Sequence, residues 1–315
     1  MEYRYLGRTG IKVSRLCFGT LTIGPLQASL SVKKGASIIR EAWKRGINFF
    51  DTAETYRNYE HIREAFKDVA SPPVIATKSY AYQARDMEKH LSRALKTMGL
   101  EAVDIFLLHE QESELTIKGH YNALNYLLKA KEKGYVKAVG ISTHTVAGVR
   151  DALKYPEIEV IHPMVNIKGI GIKDGTLPEM LKALKRAGEK GLGLYAMKPL
   201  GGGHLINSFE EALRFVISLD FLDSIALGLQ SLEELEANEA IFKGEEIGGD
   251  LAEKLRNKAR KLVIGDWCEG CGECVRHCPQ GALFLSGGKV KLRVEDCTFC
   301  GYCGPYCQDM CLKIY

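Results

Sequence analysis

Cysteine is almost absent from most of this 315-residue chain, because the first 267 residues contain only Cys17. No window reaches the roughly 18 consecutive apolar residues that a membrane-spanning helix requires, so we expect no membrane segment. The amino-terminal stretch MEYRYLGRTG also lacks the apolar core of a signal peptide, which predicts a cytoplasmic protein. A net charge of only +4 argues against nucleic-acid binding, which needs a concentrated basic face.

The other nine cysteines all lie in the last 48 residues, so the composition changes sharply near residue 267. This change predicts a large domain over residues 1–248, a linker helix over 249–265 and a small cysteine-rich domain over 266–315. With 46% hydrophobic and 26% charged residues, the chain is expected to be globular rather than disordered or collagenous. In a reducing cytoplasm, clustered cysteines bind metal more often than they form disulfides.

Short apolar, β-branched runs alternate with amphipathic helical patterns through the large domain. The eight predicted strands are 14–20, 48–53, 73–79, 103–109, 136–143, 160–167, 193–199 and 224–229. Eight strand-helix units predict an α/β protein with a closed parallel (β/α)8 barrel, the TIM barrel. The alternative is an open doubly wound sheet, whose first strand is followed by G-x-G-x-x-G, whereas here that turn reads GTLTIG.

Two segments flank the predicted barrel. Residues 3–14, YRYLGRTGIKVS, alternate around GRTG, which predicts a β-hairpin that plugs the bottom of the barrel. Residues 250–263 set Leu251, Leu255 and Leu262 at helical spacing, which predicts a packed helix leading into the cysteine-rich domain.

Three consecutive predicted strands end in an ionisable residue after an apolar run, namely Asp51, Lys78 and His109. Tyr56 follows in the loop after Asp51. A single residue of this kind would most simply cap its own loop. Because the carboxyl ends of barrel strands meet at one face, three of them predict a shared site.

The chemistry available to this set is specific. A tyrosine hydroxyl, with an ordinary pKa of about 10, becomes an effective acid near neutrality only beside a cation. Lys78 would be that cation for Tyr56, while Asp51 keeps the lysine charged. His109 would donate a hydrogen bond that orients a carbonyl oxygen. The set is therefore suited to protonating a carbonyl oxygen while a hydride reaches the carbonyl carbon.

At these residues the sequence resembles the aldo-keto reductase superfamily. The shared motifs are the hairpin with the first strand, DTAETY at 51–56, the lysine of ATKS, the histidine of LLHE, VGIS in the fifth strand and KPLGGG at 198–203. The resemblance implies that Tyr56 is the proton donor, supported by Asp51, Lys78 and His109. It also implies that a nicotinamide dinucleotide, NAD(P)H, lies across the barrel mouth and that the substrate is a small carbonyl compound.

The cofactor-binding residues that the resemblance implies lie in the loops at the strand ends. They are Gly19, Thr20, Ser142, Asn166, Lys198, Pro199, Leu200, Gly201, Gly202, Ser231 and Asn238. The backbone N–H groups of the glycine-rich turn and the helix that begins after Ser231 are suited to binding phosphate. A flavin phosphate would fit such a turn equally well.

The chain departs from the family at the expected nicotinamide site. It has Thr143 in place of an asparagine, Ile167 in place of a glutamine and Met197 in place of the tyrosine on which the ring stacks. Glu234 stands near the position of an arginine that grips the 2′-phosphate of NADP. A carboxylate there would repel a phosphate, which favours NAD over NADP.

The cysteine-rich segment contains the pattern C-x2-C-x2-C-x3-C twice, at 268–278 and 297–307, with a period of 29 residues. A proline follows the first run, as in bacterial-type ferredoxins, so we predict two [4Fe-4S] clusters. Zinc is the alternative, but zinc uses two C-x2-C pairs and not a third cysteine at that spacing. Because the fourth cysteine of each run ligates the other cluster in such ferredoxins, the predicted sets are Cys268, Cys271, Cys274 with Cys307, and Cys297, Cys300, Cys303 with Cys278.

Two cysteines remain outside these sets. Cys17 is expected to be a small buried apolar residue of the first strand. Cys311 stands where the pattern would continue past the second run, and we expect it to pack on the cluster rather than to ligate it. Of the remaining polar candidates, His144 and His204 lie in loops at the catalytic end and are expected to be solvated.

The two halves suggest three functions, because a [4Fe-4S] cluster moves single electrons whereas a nicotinamide donates a hydride. The first is a carbonyl reductase that uses NAD(P)H, with clusters that are structural or accept electrons from a redox partner protein. The second is a ferredoxin-linked reductase whose barrel holds a flavin or uses cluster electrons. The third is an electron-transfer or redox-sensing module on a non-catalytic barrel, which the complete set around Tyr56 argues against.

We expect the cysteine-rich domain to fold towards the barrel mouth and line the substrate site.

Overall fold

The computed structural model describes the whole chain, residues 1–315. The chain begins with an antiparallel hairpin of β1 (Tyr3–Tyr5) and β2 (Lys12–Ser14). Leu6 and Val13 of this hairpin are fully buried against side chains of the barrel interior. The predicted hairpin is thus confirmed, and it closes one end of the barrel.

Eight parallel strands form a closed barrel, in which each strand pairs with its neighbour in the chain and the last pairs with the first. They are β3 (Leu16–Gly19), β4 (Phe49–Asp51), β5 (Val74–Ser79), β6 (Val103–Leu108), β7 (Val136–Thr143), β8 (Val160–Pro163), β9 (Gly193–Ala196) and β10 (Ser224–Gly228). The predicted (β/α)8 barrel is confirmed, and the open sheet is wrong because β10 pairs with β3 along its length.

Helices surround the barrel. They are α1 (Val32–Lys44), α2 (Tyr59–Phe66), α3 (Ala84–Met98), α4 (Glu114–Gly119), α5 (Tyr121–Glu132), α6 (Val146–Ala152), α7 (Leu177–Glu189), α8 (Phe209–Ile217) and α9 (Leu232–Phe242). Helix α7 begins at Leu177 because Thr176 and Glu179 form a capping box there. None of the helices is both long enough and apolar enough to cross a membrane.

The core has two layers. A large layer packs between the outer surface of the strands and the helices. A smaller layer fills the barrel interior, where Cys17 is buried beside Phe49 and Tyr195. Cys17 is therefore a packing residue, as expected. Burial at this scale supplies most of the favourable free energy of folding, at about 25 cal/mol per Å² of apolar surface.

The carboxyl-terminal region is built from short elements. They are α10 (Gly249–Arg256), β11 (Leu262–Ile264), α11 (Glu273–Arg276), β12 (Leu283–Ser286), β13 (Lys289–Leu292) and β14 (Leu312–Ile314). β12 and β13 form a hairpin whose turn, Gly287 and Gly288, has positive φ at both residues. β11 pairs antiparallel with β14, so the segment is closed by its own last residues.

The expected linker helix over 249–265 differs from the structure. The helix ends at Arg256, and residues 262–264 form a strand. Leu262 has helical spacing to Leu255, but it is buried among the cysteine-rich segment's apolar residues and pairs with Ile314. Strand pairing with a distant part of the chain thus overrides the local helical pattern.

The cysteine-rich segment packs against the catalytic end of the barrel. The imidazole of His204, in the loop after β9, lies with Nε2 2.9 Å from the carbonyl oxygen of Leu312. The phenol of Tyr315 donates to the carbonyl oxygen of Gln27, at 2.8 Å. A Cβ added at Gly203 would overlap the carbonyl oxygen of Ile314, so glycine is needed where β14 approaches. The segment therefore folds towards the barrel mouth, as expected.

Gly140 in β7 offers a test of barrel packing. A Cβ at this position would overlap the carbonyl oxygen of Val160 in β8, and backbone atoms cannot move aside cheaply. We expect Gly140→Ala to lower the free energy of unfolding by about 1–3 kcal/mol, the usual cost of overpacking. Gly119→Ala is the control, because nothing lies within 4 Å of a Cβ there. Urea unfolding that gave equal midpoints for the two variants would contradict this account.

Candidate active site

The site is built around an ion pair inside the barrel. The ammonium of Lys78, at the end of β5, lies 2.8 Å and 2.6 Å from the two carboxylate oxygens of Asp51, at the end of β4. It also donates to the carbonyl oxygen of Thr52, at 2.9 Å. All three donors of the ammonium are therefore used, and both side chains are almost completely buried.

Two further residues, which the sequence reasoning missed, complete the surroundings of this pair. The phenol of Tyr195 donates to Asp51 Oδ1 at 3.0 Å, and the ring of His162 stacks on the ring of Tyr195 at 3.9 Å between centroids. Burial lowers the pKa of His162 to about 4, so this imidazole is neutral at physiological pH. The available signal was a polar side chain inside each of the apolar runs VIHPMV and GLYAM.

Tyr56 lies over the ion pair. It belongs to a single helical turn, Glu54–Tyr56, directly after β4, and Lys78 Nζ is 4.9 Å from the centroid of its ring. The ring of His109 meets it edge to face at 6.2 Å, and the ring of Tyr80 stacks on His109 at 4.2 Å. The predicted set of Asp51, Tyr56, Lys78 and His109 is therefore brought together at one end of the barrel.

The protonation states differ in part from the expectation. Burial, together with the negative charges of Asp51 and Glu110, raises the pKa of Tyr56 well above its usual range. Burial dominates, so the pKa of Tyr56 is not lowered as was expected from Lys78. Burial lowers the pKa of His109 well below its usual range, and its Nδ1 has no hydrogen-bond partner. A protonated phenol thus stands beside a neutral imidazole with one nitrogen unused.

A cavity of about 520 Å³ opens over this set at the barrel mouth. Asp51, Tyr56, His162 and Met197 line its inner end. The linker contributes Ala252, Leu255, Arg256, Lys258 and Arg260, and the end of the chain contributes Lys313, Ile314 and Tyr315. The cysteine-rich segment is thus part of the wall of the cavity that contains Tyr56.

The residues that the resemblance assigned to a cofactor divide into two groups. Gly19, Lys198, Pro199, Leu200, Gly202 and Asn238 line the cavity. Gly201 and Ser231 lie beside the lining residues Gly202 and Gln230, and Ser231 caps α9 by accepting from Glu234 N. Asn238 Oδ1 is buried with no hydrogen-bond partner, which leaves an acceptor free for a bound group.

The second group does not reach the cavity. Ser142 is fully buried, and its hydroxyl accepts from the Glu110 N–H at 2.8 Å. Asn166 closes its own loop by bonding both backbone polar groups of Ile170 at 2.9 Å. Thr20 donates to the carbonyl oxygen of Asp51 at 3.0 Å. The two expected nicotinamide contacts, Ser142 and Asn166, thus have structural partners.

The charge of Glu234 is neutralised. This carboxylate forms an ion pair with Lys258 of the linker and accepts from the Gln230 N–H at 2.7 Å. Arg256 and Arg260 line the same cavity. The repulsion of a phosphate that the sequence predicted at Glu234 is therefore offset by linker residues, which the sequence pattern did not place here.

The two loop histidines are buried rather than solvated. His144 Nε2 lies 3.0 Å from Lys198 Nζ and 3.7 Å from Glu110 Oε1. His204 packs between Leu312 and the backbone of Gly304. The expectation was wrong for both, because each is covered by residues distant in the sequence.

The predicted cluster ligands group as the two sets required. Cys278, Cys297, Cys300 and Cys303 line one small cavity. Cys274 is influenced electrostatically by Cys268, Cys271 and Cys307, which with its burial raise the pKa of this thiol to about 11. No three His, Cys, Asp or Glu side chains are close enough to bind a single metal ion.

Cys311 is buried beside the first set. Its backbone N–H donates to Cys307 Sγ at 3.1 Å, and its own side chain is buried near the thiols of Cys307 and Cys268. This geometry agrees with a packing role that also supplies a hydrogen bond to a predicted cluster ligand.

Comparisons with known proteins agree with this geometry. The model of the Aldo/keto reductase family matches residues 15–211, and a 4Fe-4S binding domain model matches residues 262–284. The chain is 28% identical to L-galactose dehydrogenase of Arabidopsis thaliana, over 79% of this chain and 91% of that protein. It is 26% identical to an uncharacterized oxidoreductase of Bacillus subtilis, over 84% and 92%.

A solved structure shows the same fold. It is an aldo-keto reductase from Bacillus halodurans in its holo form, with a TM-score of 0.67 and 18% sequence identity, and the match covers 81% of this chain and 95% of that chain.

The buried ion pair gives a stability prediction. Lys78→Met leaves the Asp51 carboxylate buried without its cation, and breaking a buried pair in this way costs about 3–5 kcal/mol. Removing both charges in Asp51→Asn/Lys78→Met should cost less than the sum of the two single changes. Urea unfolding under anaerobic conditions measures the three free energies.

Lys89→Met is the matched control, because the ion pair of Lys89 with Asp86 is exposed and little stability is expected from it. Additive costs at Asp51 and Lys78 would mean that the two charges do not stabilise each other.

Proposed function

The chain belongs to the aldo/keto reductase family, and from that premise we propose that it reduces the carbonyl group of a small aldehyde or ketone with NAD(P)H. Tyr56 is the proton donor in this proposal. The observation that carries it is that Asp51 and Tyr56 line the inner end of one cavity, with Lys78 paired to Asp51 and the ring of His109 edge to face with Tyr56 directly behind them.

Proton transfer to the substrate follows from the position of Tyr56. Because the pKa of its phenol is raised, the hydroxyl keeps its proton until negative charge develops on the substrate oxygen. The Lys78 ammonium, 4.9 Å from the ring centroid, then stabilises the phenolate that remains. Asp51 holds the ammonium in place and Tyr195 donates a hydrogen bond to Asp51, so no reorganisation is needed at that moment.

His109 orients the substrate in this proposal. Its pKa is lowered by burial, so it is neutral and carries one N–H donor without adding a second positive charge beside Lys78. Nδ1 is buried without a partner, so the N–H that would reach a substrate in this proposal is that of Nε2. A neutral donor polarises the carbonyl and does not compete with Tyr56 for the proton transfer.

The cavity fits a dinucleotide along its length. A reduced nicotinamide, when bound, supplies the hydride to the carbonyl carbon. Gly202 of KPLGGG and Gln230, which precedes the start of α9, line the same cavity and would face the diphosphate. The unpartnered Oδ1 of Asn238 offers an acceptor to the adenosine end. The Glu234–Lys258 ion pair supports use of either NADH or NADPH.

We also propose that the cysteine-rich segment holds two [4Fe-4S] clusters. The first is bound by Cys268, Cys271, Cys274 and Cys307, and the second by Cys297, Cys300, Cys303 and Cys278. The lining of one small cavity by the second set, and the electrostatic interactions of Cys274 with the other three thiols of the first set, support it. Such clusters exchange one electron at a time.

The alternative is a ferredoxin-linked reductase, with or without a flavin, in which electrons reach the barrel site from the clusters. The specific observations in its favour are that Ser142 and Asn166 have structural partners, and that β14 lines the cavity of Tyr56. Dithionite-reduced protein that turned over a carbonyl compound without any nicotinamide would favour this alternative.

Tyr56→Phe tests the proton donor. Loss of a positioned acid should lower kcat about 10²- to 10⁴-fold, while the visible absorbance of the clusters stays unchanged. The measurement is anaerobic oxidation of NADH or NADPH with a panel of aldehydes. Tyr135→Phe is the control, because Tyr135 is exposed in the turn between α5 and β7, before the amino end of a barrel strand. Full activity in Tyr56→Phe would show that another group supplies the proton.

Iron analysis tests the clusters. Anaerobically purified protein should contain about eight iron atoms per chain, and Cys271→Ser or Cys300→Ser should each lose about four. Cys17→Ala is the control, since this thiol lies in the barrel interior. Zinc in place of iron, or iron that survives both serine variants, would contradict the proposed ligand sets.

A further inference from the structure

Two lysines face the cavity of Tyr56 without a counter-ion. Lys198, directly after β9, and Lys313, in β14, both line the cavity. Neither has a carboxylate within 4 Å, whereas the neighbouring Lys173 pairs with Glu112 at 2.6 Å. The nearest polar partner of Lys198 Nζ is His144 Nε2 at 3.0 Å, and Lys313 Nζ lies 4.7 Å from the centroid of the Trp267 ring.

The surroundings are therefore short of negative charge. Burial, and then the charge of Lys313, lower the pKa of Lys198 to about 7. Burial also lowers the pKa of Lys313. Glu110 raises both values from a distance, but its carboxylate contacts His144 rather than either ammonium. Two ammonium groups with one remote carboxylate make a site at which an added anion would be stabilised.

The backbone directs Lys198 towards the catalytic residues. Its φ of 55° lies in the left-handed region, an uncommon conformation for a residue with a Cβ, and Glu110 has the same feature at 51°. The side chain of Lys198 turns to His144, and His144 lies beside Glu110, which directly follows His109. The ammonium thus lies on the His109 side of the mouth, and its charge is among those that lower the pKa of His109.

Lys313 is held in place by the docking of β14. Its neighbours on both sides are fixed, since Leu312 O accepts from His204 and Ile314 packs against Gly203. The β11 pairing adds backbone hydrogen bonds along the strand. The docked strand fixes the backbone of Lys313, and the contact of its ammonium with the Trp267 ring limits the positions that the side chain can take.

We propose that Lys198 and Lys313 form an anion subsite beside Tyr56, and that the preferred carbonyl substrate carries a carboxylate bound there. The proposal rests on the proposed function, because it names the substrate class of the same site. It adds a specificity role for the cysteine-rich segment, which contributes Lys313. The other source of an oxyanion at this place is the diphosphate of the cofactor, and the experiment separates the two.

The test compares two aldehydes that differ in one group, 4-formylbenzoate and its neutral amide, 4-formylbenzamide. Wild-type protein should reduce the carboxylate with the higher kcat/KM. Lys198→Met and Lys313→Met should each lower the kcat/KM ratio of carboxylate to amide about 10- to 100-fold, since a charge-assisted contact is lost. Lys291→Met is the matched control, because Lys291 is exposed on β13 and has no ion pair.

Calorimetry with the same two aldehydes and no nucleotide gives a readout that does not depend on turnover. Wild-type protein should bind 4-formylbenzoate more tightly than the amide, and each variant should lose this difference while iron content and circular dichroism stay unchanged. Equal binding of the two compounds by wild-type protein would overturn the proposal. So would variants that raise KM for NADH or NADPH and slow both aldehydes equally, because the lysines would then bind the cofactor. Failure of all aldehyde reduction with preserved selective binding would reject the proposed function alone.

Discussion

The buried ion pair between Lys78 and Asp51 is the interaction on which the rest of the site depends. A charge inside a barrel is tolerated only when its partners satisfy it, and here the ammonium has two carboxylate oxygens and one carbonyl oxygen. The pair in turn fixes Tyr195 below and Tyr56 above. The parallel pairing of β4 with β5 is what allows it, because the two strands must be neighbours for the two side chains to meet.

A second constraint joins the two halves of the chain. The glycine-rich turn after β9 has positive φ at Gly201, Gly202 and Gly203, a conformation suited to binding phosphate. The same glycines let β14 approach, since a Cβ at Gly203 would overlap Ile314. The turn therefore has a structural reason for its composition that is independent of any ligand. One consequence is that the wall of the reductase cavity is completed by the segment that carries the cysteines.

A site residue could be predicted from the sequence when a local pattern, such as the end of a strand, fixes its position. Asp51, Lys78 and His109 could be placed together because each ends a strand of a barrel, and barrel geometry brings strand ends to one face. Tyr195 and His162 were missed because the sequence around a polar residue in an apolar run does not indicate which distant residue it contacts. Ser142 and Asn166 were assigned by resemblance, yet their hydrogen bonds go to Glu110 and Ile170.

The sequence by itself determined the barrel and predicted both the set of Asp51, Tyr56, Lys78 and His109 and the two sets of cysteines, because strand periodicity, strand ends and short cysteine spacings are all local patterns. Only the tertiary structure decided that the linker helix stops at Arg256, that Lys258 neutralises Glu234, and that Lys313 enters the cavity of Tyr56. Each of these depends on pairing between segments far apart in the chain. Such contacts are stabilised by packing and pairing between distant segments, and a local sequence pattern does not show which segments will pair.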